Sequence, residues 1–339
     1  MHDARWRYCA VCEGLMLEIL TNGPLNTVQD LGRYGAIPMG VCAGGAMDRD
    51  ALIHGNILVG NDFNDAGIEV TFFPFKVKFS QNCVFAVTGA MGEVYLDEDV
   101  VPENWCMQAV SGQVLVLHPP KVGTRSYLTF AGGIDVPVVL GGRSTDIKGG
   151  FGGFEGRGLQ KGDVLSCGPV QKHVGLPDGG YGLADARPLP SGEITPLKIM
   201  PAAEYSLFEE RSLEQFFSQK WLITAQANRV GFRLEGEEPL RTKDALSLFS
   251  HGLLPGTVQV PPAGQPIVQM ADANTCGGYP KVGVIVEADL CLLSQIPPGR
   301  YIKFELITQE DAQSKLRAER EKARILSEQI MTLRKQIFQ

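Results

Sequence analysis

The sequence predicts a mainly β protein with few helices: two successive β-rich halves followed by a C-terminal helix. Three observations carry this. Forty glycines and twenty-one prolines in 339 residues mark many tight turns. Short alternating apolar stretches recur in both halves without a strand–helix–strand rhythm, which favours barrels or sandwiches over a parallel sheet. Residues 309–338 then turn charged and lack glycine and proline.

Taken in order, residues 1–15 (MHDARWRYCAVCEGL) have no period and read as a disordered extension outside the fold. They also lack the apolar centre of a signal peptide. The first half spans 16–170 and opens on the alternating LEILT. Segment 46–59 follows as a helix, with Asp48 as N-cap and Leu52, Ile53, Ile57 and Leu58 on one face. KVKF, CVFAVTG, EVYLD, QVLVLH, RSYLTFAGG and DVLSCG read as strands. Residues 171–196, rich in glycine and proline, read as a linker. The second half, 197–308, restarts with LKIMP and a short helix at 204–219. WLITAQ, VGFRLEG, GTVQVP, QPIVQM, VGVIVEADL and YIKFELIT then read as strands. In the tail, 309–339, Ala323, Leu326, Ile330, Leu333 and Ile337 are spaced 3-4-3-4. That seam packs on its own domain or meets a partner. Two heptads are too few for a free coiled coil.

Composition excludes several classes. The chain is 44% hydrophobic and 20% charged, as in soluble globular proteins. Its net charge of −7 argues against nucleic acid or an anionic membrane as the main partner. No apolar run reaches the roughly 18–20 residues of a membrane span. A cytoplasmic protein is expected. Of eight cysteines only Cys9 and Cys12 are closely spaced, and no second pair completes a zinc site, so no metal ligand is assigned.

Motif searches find no P-loop, no G-x-G-x-x-G, no nucleophile elbow and no H-E-x-x-H. The five histidines are scattered. Three polar, glycine-bearing clusters remain: NTVQDLGRYG (26–35), GGRSTDIKGGFGGFEGRG (141–158) and ADANTCGGYPKVG (271–283). One such loop alone is ordinarily a turn. Three that carry charges and amides together point to a cleft. Glycine-loop amides can converge on an anion because no Cβ intrudes. Arg143 or Arg157 can grip a carboxylate or phosphate in two-pronged fashion. Asp146 or Asp272 can hold magnesium or orient a nucleophile. QANRVGFRLEG adds Asn228, Arg229 and Arg233, whose arginines can equally serve surface carboxylates. GGFGG, within the second cluster, reads as a mobile flap over that cleft.

At these clusters the chain resembles a known family. GPLNTVQDLGRYG, AMDRDAL, LVGND, YLTFAGGIDVPVVLGGRSTD, GLLPGTVQVPPAGQPIVQMAD and TCGGYPKVG are similar to the biotin-dependent carboxyltransferases, also called the allophanate hydrolase subunit 2 or KipA-like family. The likeness runs from about Met16 to about Thr308. Within the family, STDIKGGFGGFEGRGLQKGD, ANRVGFRLEG and SHGLLPGTVQVPPAGQPIVQM most resemble the branch found in bacterial 5-oxoprolinase as its C component. The resemblance implies tandem cyclophilin-like β-barrel domains. It implies ATP-dependent opening of 5-oxo-L-proline to L-glutamate, with ATP and Mg2+ as cofactors and 5-oxoprolinase subunits A and B as partners. Two other activities occur among such proteins: carboxyl transfer from carboxybiotin to urea, with biotin supplied by another protein, and antagonism of a kinase inhibitor. On this resemblance Asp146, Asp272 and Lys281 are the catalytic candidates. Thr27, Gln29, Arg143, Ser144, Asn228, Arg229, Thr275, Gly277, Gly278 and Tyr279 are the candidates for binding substrate or phosphate. Relatives often carry threonine where this chain has Asn26 and Cys276, and Cys276 forgoes a hydroxyl donor.

Overall fold

Leu17 and Ile19 alternate with Met16 and Glu18 because their strand, Met16–Ile19, lays one face on a core. That core fills the space between two six-stranded sheets of the first half, here in a computed structural model that describes residues 16–170, 176–184, 186–244 and 248–337. One sheet runs Val164–Ser166, Met16–Ile19, Phe75–Phe79, Val114–Leu117, Val94–Leu96, Asp99–Val100. The other runs Tyr181–Gly182, Trp105–Ala109, Cys83–Met91, Val122–Phe130, Gly67–Val70, Thr27–Gln29. Phe79 of the first meets Phe85 and Phe130 of the second, with ring centroids 5.4 and 6.2 Å apart. Such tilted and edge contacts suit the aromatic quadrupole.

Helix α1 (Arg49–Val59) packs on the second sheet, its Asp48 cap accepting from Ala51 N at 3.2 Å, and ends on the left-handed Gly60.

The second half closes into a seven-stranded barrel. Its order is Ile194–Pro201, Lys281–Ile285, Thr257–Gln259, Ile267–Gln269, Gly231–Glu235, Trp221–Ile223, Tyr301–Leu306, and parallel pairing of the last on the first completes it. Helix α2 (Glu210–Ser218) buries Phe216, which stacks on Phe304 at 4.5 Å and tilts against Trp221.

Three readings of the sequence change here. VGVIVEADL is a strand only to Ile285; helix α3 (Glu287–Ser294) follows. This helix is apolar on several sides, so it shows no helical period, and only Glu287 and Asp289 in its first turn mark it. The 171–196 stretch contains Tyr181–Gly182, paired with the first half, and the barrel begins at Ile194. The tail forms helix α4 (Gln309–Ile337) but does not pack only on the barrel it follows. It crosses to the first half, where Ile330 joins Ile57, Leu58, Val59 and Tyr181. Leu333, on the predicted seam, is 38% exposed. The 1–15 extension, with Cys9 and Cys12, lies outside the described residues, as do 171–175 of the linker. Among the described residues no helix is long and apolar enough to cross a membrane.

Candidate functional site at the seam between the halves

The first cluster is built into the sheet edge. Thr27 and Gln29 are fully buried; Gln29 Nε2 donates to Thr27 Oγ1 at 2.9 Å and to Thr145 O at 3.3 Å. Their polar atoms thus tie the strand to the second cluster. Asp30 accepts from Gly32 N at 2.8 Å, from Arg143 N at 2.6 Å and from the Ser144 hydroxyl. Ser144 is therefore a bracket between loops, and Arg143 is held by its amide and by Nε on Val136 O at 3.0 Å. Arg33 is buried, with Nε on Val139 O, Nη2 on Ser144 O and its guanidinium over Phe151 at 4.9 Å.

The second cluster is tied rather than loose. Gly150 N and Phe151 N donate to Asp146 O, Asp146 N to Phe151 O at 2.9 Å, Gly153 N to Arg143 O at 3.1 Å and Gly156 N to Gly152 O at 2.8 Å. A Cβ on Gly153 would stand 1.8 Å from Thr145 Oγ1, and one on Gly156 2.2 Å from Gly150 C. These glycines allow backbone to meet backbone at 153 and 156, whereas Gly149 and Gly150, at the start of the expected flap, are exposed and a Cβ on Gly150 would meet nothing within 4 Å. Arg157 is not free for an anion either: it pairs with Asp163 at 2.7 Å and Glu155 at 2.6 Å.

The third cluster meets the second, and the loop that follows the first, across the seam. Arg229 grips Asp272 with Nε–Oδ2 and Nη2–Oδ1 distances of 2.8 Å, and reaches Gly45 O at 2.8 Å and Glu69 Oε1 at 2.7 Å. Glu69, fully buried in the first half, also accepts from Tyr127 Oη at 2.6 Å and Met47 N at 2.8 Å, with Arg125 Nε 3.8 Å away. Burial pushes the Glu69 carboxyl up, but Arg229, Arg125, Tyr127 and Met47 N together hold it below its ordinary value. Lys148 Nζ donates to Asn274 Oδ1 at 3.0 Å, Gly44 N to Ala271 O at 3.0 Å, and Cys42 Sγ lies 3.4 Å from Asp146 Oδ2. Burial, then Asp146 and Asp272, push the Cys42 thiol up to about 12, with Arg33 acting the other way. Beside these contacts opens a cavity of about 810 Å3, lined by Gly44, Met47, Met270, Ala271, Ile285 and Leu316 of α4.

The seam therefore gathers Asp146 of the second cluster with Ala271, Asp272 and Asn274 of the third. Other candidates stand apart from these contacts. Lys281 Nζ sits 3.1 Å from Glu204 Oε2 and against His251 Nε2. Thr275 O accepts from Leu253 N at 2.8 Å, in line with the His251–Gly252 and Cys276–Gly277 pairing. Gly277 passes close over Gln259, Gly278 close to Leu248 O, and Tyr279 is exposed. Asn228 Oδ1 accepts from Val230 N at 2.8 Å within its own turn. Sequence reasoning missed Glu69, Arg125, Tyr127 and Cys42. A lone acid in the apolar strand Gly67–Val70 was the available signal for Glu69.

Two bound groups come into question at these residues. Asp48, Asp50 and Cys291 cluster, but Arg187 already pairs with Asp48 at 2.7 Å and Asp50 at 3.3 Å, so a guanidinium already occupies the cluster. For ATP with Mg2+, the glycine-loop amides donate within their own loop and Asp272 is saturated by Arg229. The described residues do not form a triphosphate cradle by themselves.

Comparison with known proteins agrees with the fold. Residues 39–306 match the carboxyltransferase domain, subdomain A and B. The chain is 44% identical over 297 residues to the C component of the 5-oxoprolinase of Escherichia coli (strain K12), covering 88% of this chain and 93% of that one. It is 39% identical over 306 residues to the corresponding 5-oxoprolinase component of Haemophilus influenzae, covering 90% and 96%. It superposes on the crystal structure of the Kluyveromyces lactis urea amidolyase with a TM-score of 0.84 and 27% identity, over 92% of this chain and 20% of the larger one.

Proposed function

The chain belongs to the carboxyltransferase domain family (subdomains A and B), and from that membership we propose that it acts as the C component of a 5-oxoprolinase, with subunits A and B as partners. The observation that carries this reading is the near end-to-end likeness, in both directions, to two bacterial components of that enzyme. The reaction proposed is the ATP-dependent opening of 5-oxo-L-proline to L-glutamate.

A lactam is a stable amide, and opening it needs a held substrate, a water to attack the carbonyl carbon, a placed acceptor for that water's proton and a proton for the departing ring nitrogen. The seam supports two of these tasks. Its cavity lies between the halves and is largely apolar. Asp146 is 7% exposed and, among the described residues, makes no ion pair; Oδ1 accepts from Gly149 N and Oδ2 faces the Cys42 thiol. That carboxylate, which does not itself line the cavity, is the proposed proton acceptor. Asp272 is committed to Arg229, so its proposed part is to hold the seam in register. Lys281, braced by Glu204 and His251, is proposed to serve where a partner completes the site. Because the described residues do not cradle a triphosphate, nucleotide binding is proposed to draw on the partner subunits.

The likeness to a urea amidolyase favours a second reading, carboxyl transfer from carboxybiotin to urea, although the chain spans only a fifth of that protein. Co-expression with candidate subunits A and B, followed by assay of ADP and glutamate, tests the first reading. An assembled complex with no turnover of 5-oxoproline would sink it. Urea-dependent decarboxylation of carboxybiotin would establish the second, and partner binding without turnover would indicate a regulatory role.

A further inference from the structure

Arg33 is a buried cation whose charge the protein leaves unmatched. It is 1% exposed, and among the described residues it has no carboxylate within ion-pair distance. Its Nε and Nη2 donate to the carbonyls of Val139 and Ser144, while Nη1 has no protein acceptor. Asp30, three residues earlier, commits its oxygens to Gly32 N, Arg143 N and the Ser144 hydroxyl. Neighbouring arginines differ: Arg229 meets two carboxylates and so does Arg157. An uncompensated buried charge costs several kcal/mol, so an anionic partner for Arg33 is physically favoured.

The approach to Nη1 is also distinctive. Gly44 lines the seam cavity, and a Cβ placed on it would stand 3.3 Å from Arg33 Nη1 and 3.5 Å from Ser144 Cβ. Arg33 itself does not line the cavity, but glycine at 44 leaves Nη1 with no side chain over it on that side. Phe151 covers one face of the guanidinium and leaves recognition to its edge, the geometry that suits a planar carboxylate.

We propose that Arg33 Nη1, approached past Gly44 from the seam cavity, seats the carboxylate of a small lactam acid. This rests on the function proposed above and names the group that selects its substrate. Arg33 would then be a specificity-determining residue.

The test uses the complex assembled from this chain and both partners, with Arg33→Met, which keeps the length of the side chain and removes its charge. Kd and KM are measured for 5-oxo-L-proline, and Kd for 2-pyrrolidinone, the same lactam without its carboxylate. The proposal expects Arg33→Met to weaken 5-oxo-L-proline on the order of tenfold or more, to leave 2-pyrrolidinone unchanged and to alter kcat less than KM. A variant that assembles and melts like the wild type yet keeps the wild-type preference for the carboxylated lactam would overturn it. If Arg33→Met fails to assemble, Gly44→Ala decides: it keeps the charge and narrows the approach, and an unchanged Kd ratio would equally overturn the proposal. Absence of turnover in the wild-type complex would refute the function reading alone, because the Kd ratio still judges Arg33.

Discussion

Arg229 Nη1 lies 2.7 Å from Glu69 Oε1, joining a turn of the barrel to a strand of the other half. The same guanidinium holds Asp272, so one side chain links both halves and the third polar cluster. Removing it leaves the fully buried Glu69 with a weakened counter-charge. Arg229→Met is expected to destabilise the protein by about 3–5 kcal/mol, read as a lower urea midpoint at neutral pH.

The same pair sets an acid limit. The Glu69 carboxyl is held below its ordinary value of 4.5 in the fold. Its contribution is therefore complete above that value and is lost as pH falls through the lower, folded one. Urea titrations at pH 7 and at pH 4 or below should show the wild type losing stability more steeply than Glu69→Gln. The variant starts lower, having replaced a charged acceptor of two arginines, and changes less. Parallel losses in both proteins would remove Glu69 from the account.

Glycines of the second cluster differ in what they permit. Gly141 and Gly156 both have positive φ, +86° and +66°, but a Cβ at Gly141 meets nothing within 4 Å, whereas at Gly156 it meets Gly150 C at 2.2 Å. Either alanine carries the left-handed cost of about 1–2 kcal/mol. Gly156→Ala adds a backbone clash, so its melting temperature should fall clearly further than that of Gly141→Ala. Equal effects would remove the close approach of Gly156 to Gly150 from the account.

The contrast shows where sequence reasoning stops. Helix α1 was legible because Asp48 and the Leu52, Ile53, Ile57 and Leu58 face form a local pattern. Asp146 and Asp272 were legible as candidates because each sits in a polar, glycine-bearing loop; that both act on Cys42 was not, because the fold alone brings those loops together. Glu69 was not, because its partners come from residues 47, 125, 127 and 229, and no spacing encodes such a meeting. Lys281 shares its loop with Asp272, yet strand pairing turns it toward Glu204. Thr27 and Gln29 carried polar chemistry that the fold uses to tie a sheet edge.

Cys42 provides a probe of the seam that needs no partner protein. Its thiol is driven up to about 12, first by burial and then by Asp146 and Asp272. Thiolate is the reacting form, so at pH 8 iodoacetamide should label the exposed Cys276 well before Cys42. Asp146→Asn removes one of the opposing charges and should speed labelling at Cys42 while leaving Cys276 as it was. Peptide mapping by mass spectrometry separates the two sites. Prompt labelling of Cys42 in the wild type would contradict the packed seam.

Arg334, near the end of α4, is 5% exposed and donates from Nε to Tyr181 Oη at 2.8 Å and from Nη2 to Leu58 O. Leu58 is in the last turn of α1, where backbone carbonyls lack helical partners and the helix dipole is negative. A cation from the far end of the chain therefore caps a helix of the first half, beside the apolar contact of Ile330. Arg334→Ala should leave the α1 terminus and the Tyr181 hydroxyl less well satisfied, at a cost of about 1–3 kcal/mol. Hydrogen exchange localises the effect: protection should fall at amides of the last turn of α1 and around Tyr181, with the barrel strands unchanged. Arg334→Lys keeps the charge but not the forked geometry, so it should recover only part of the loss. If both variants exchange and melt as the wild type does, α4 is held by its apolar face alone, and Ile330→Ala would then have to account for the crossing of the tail onto the first half.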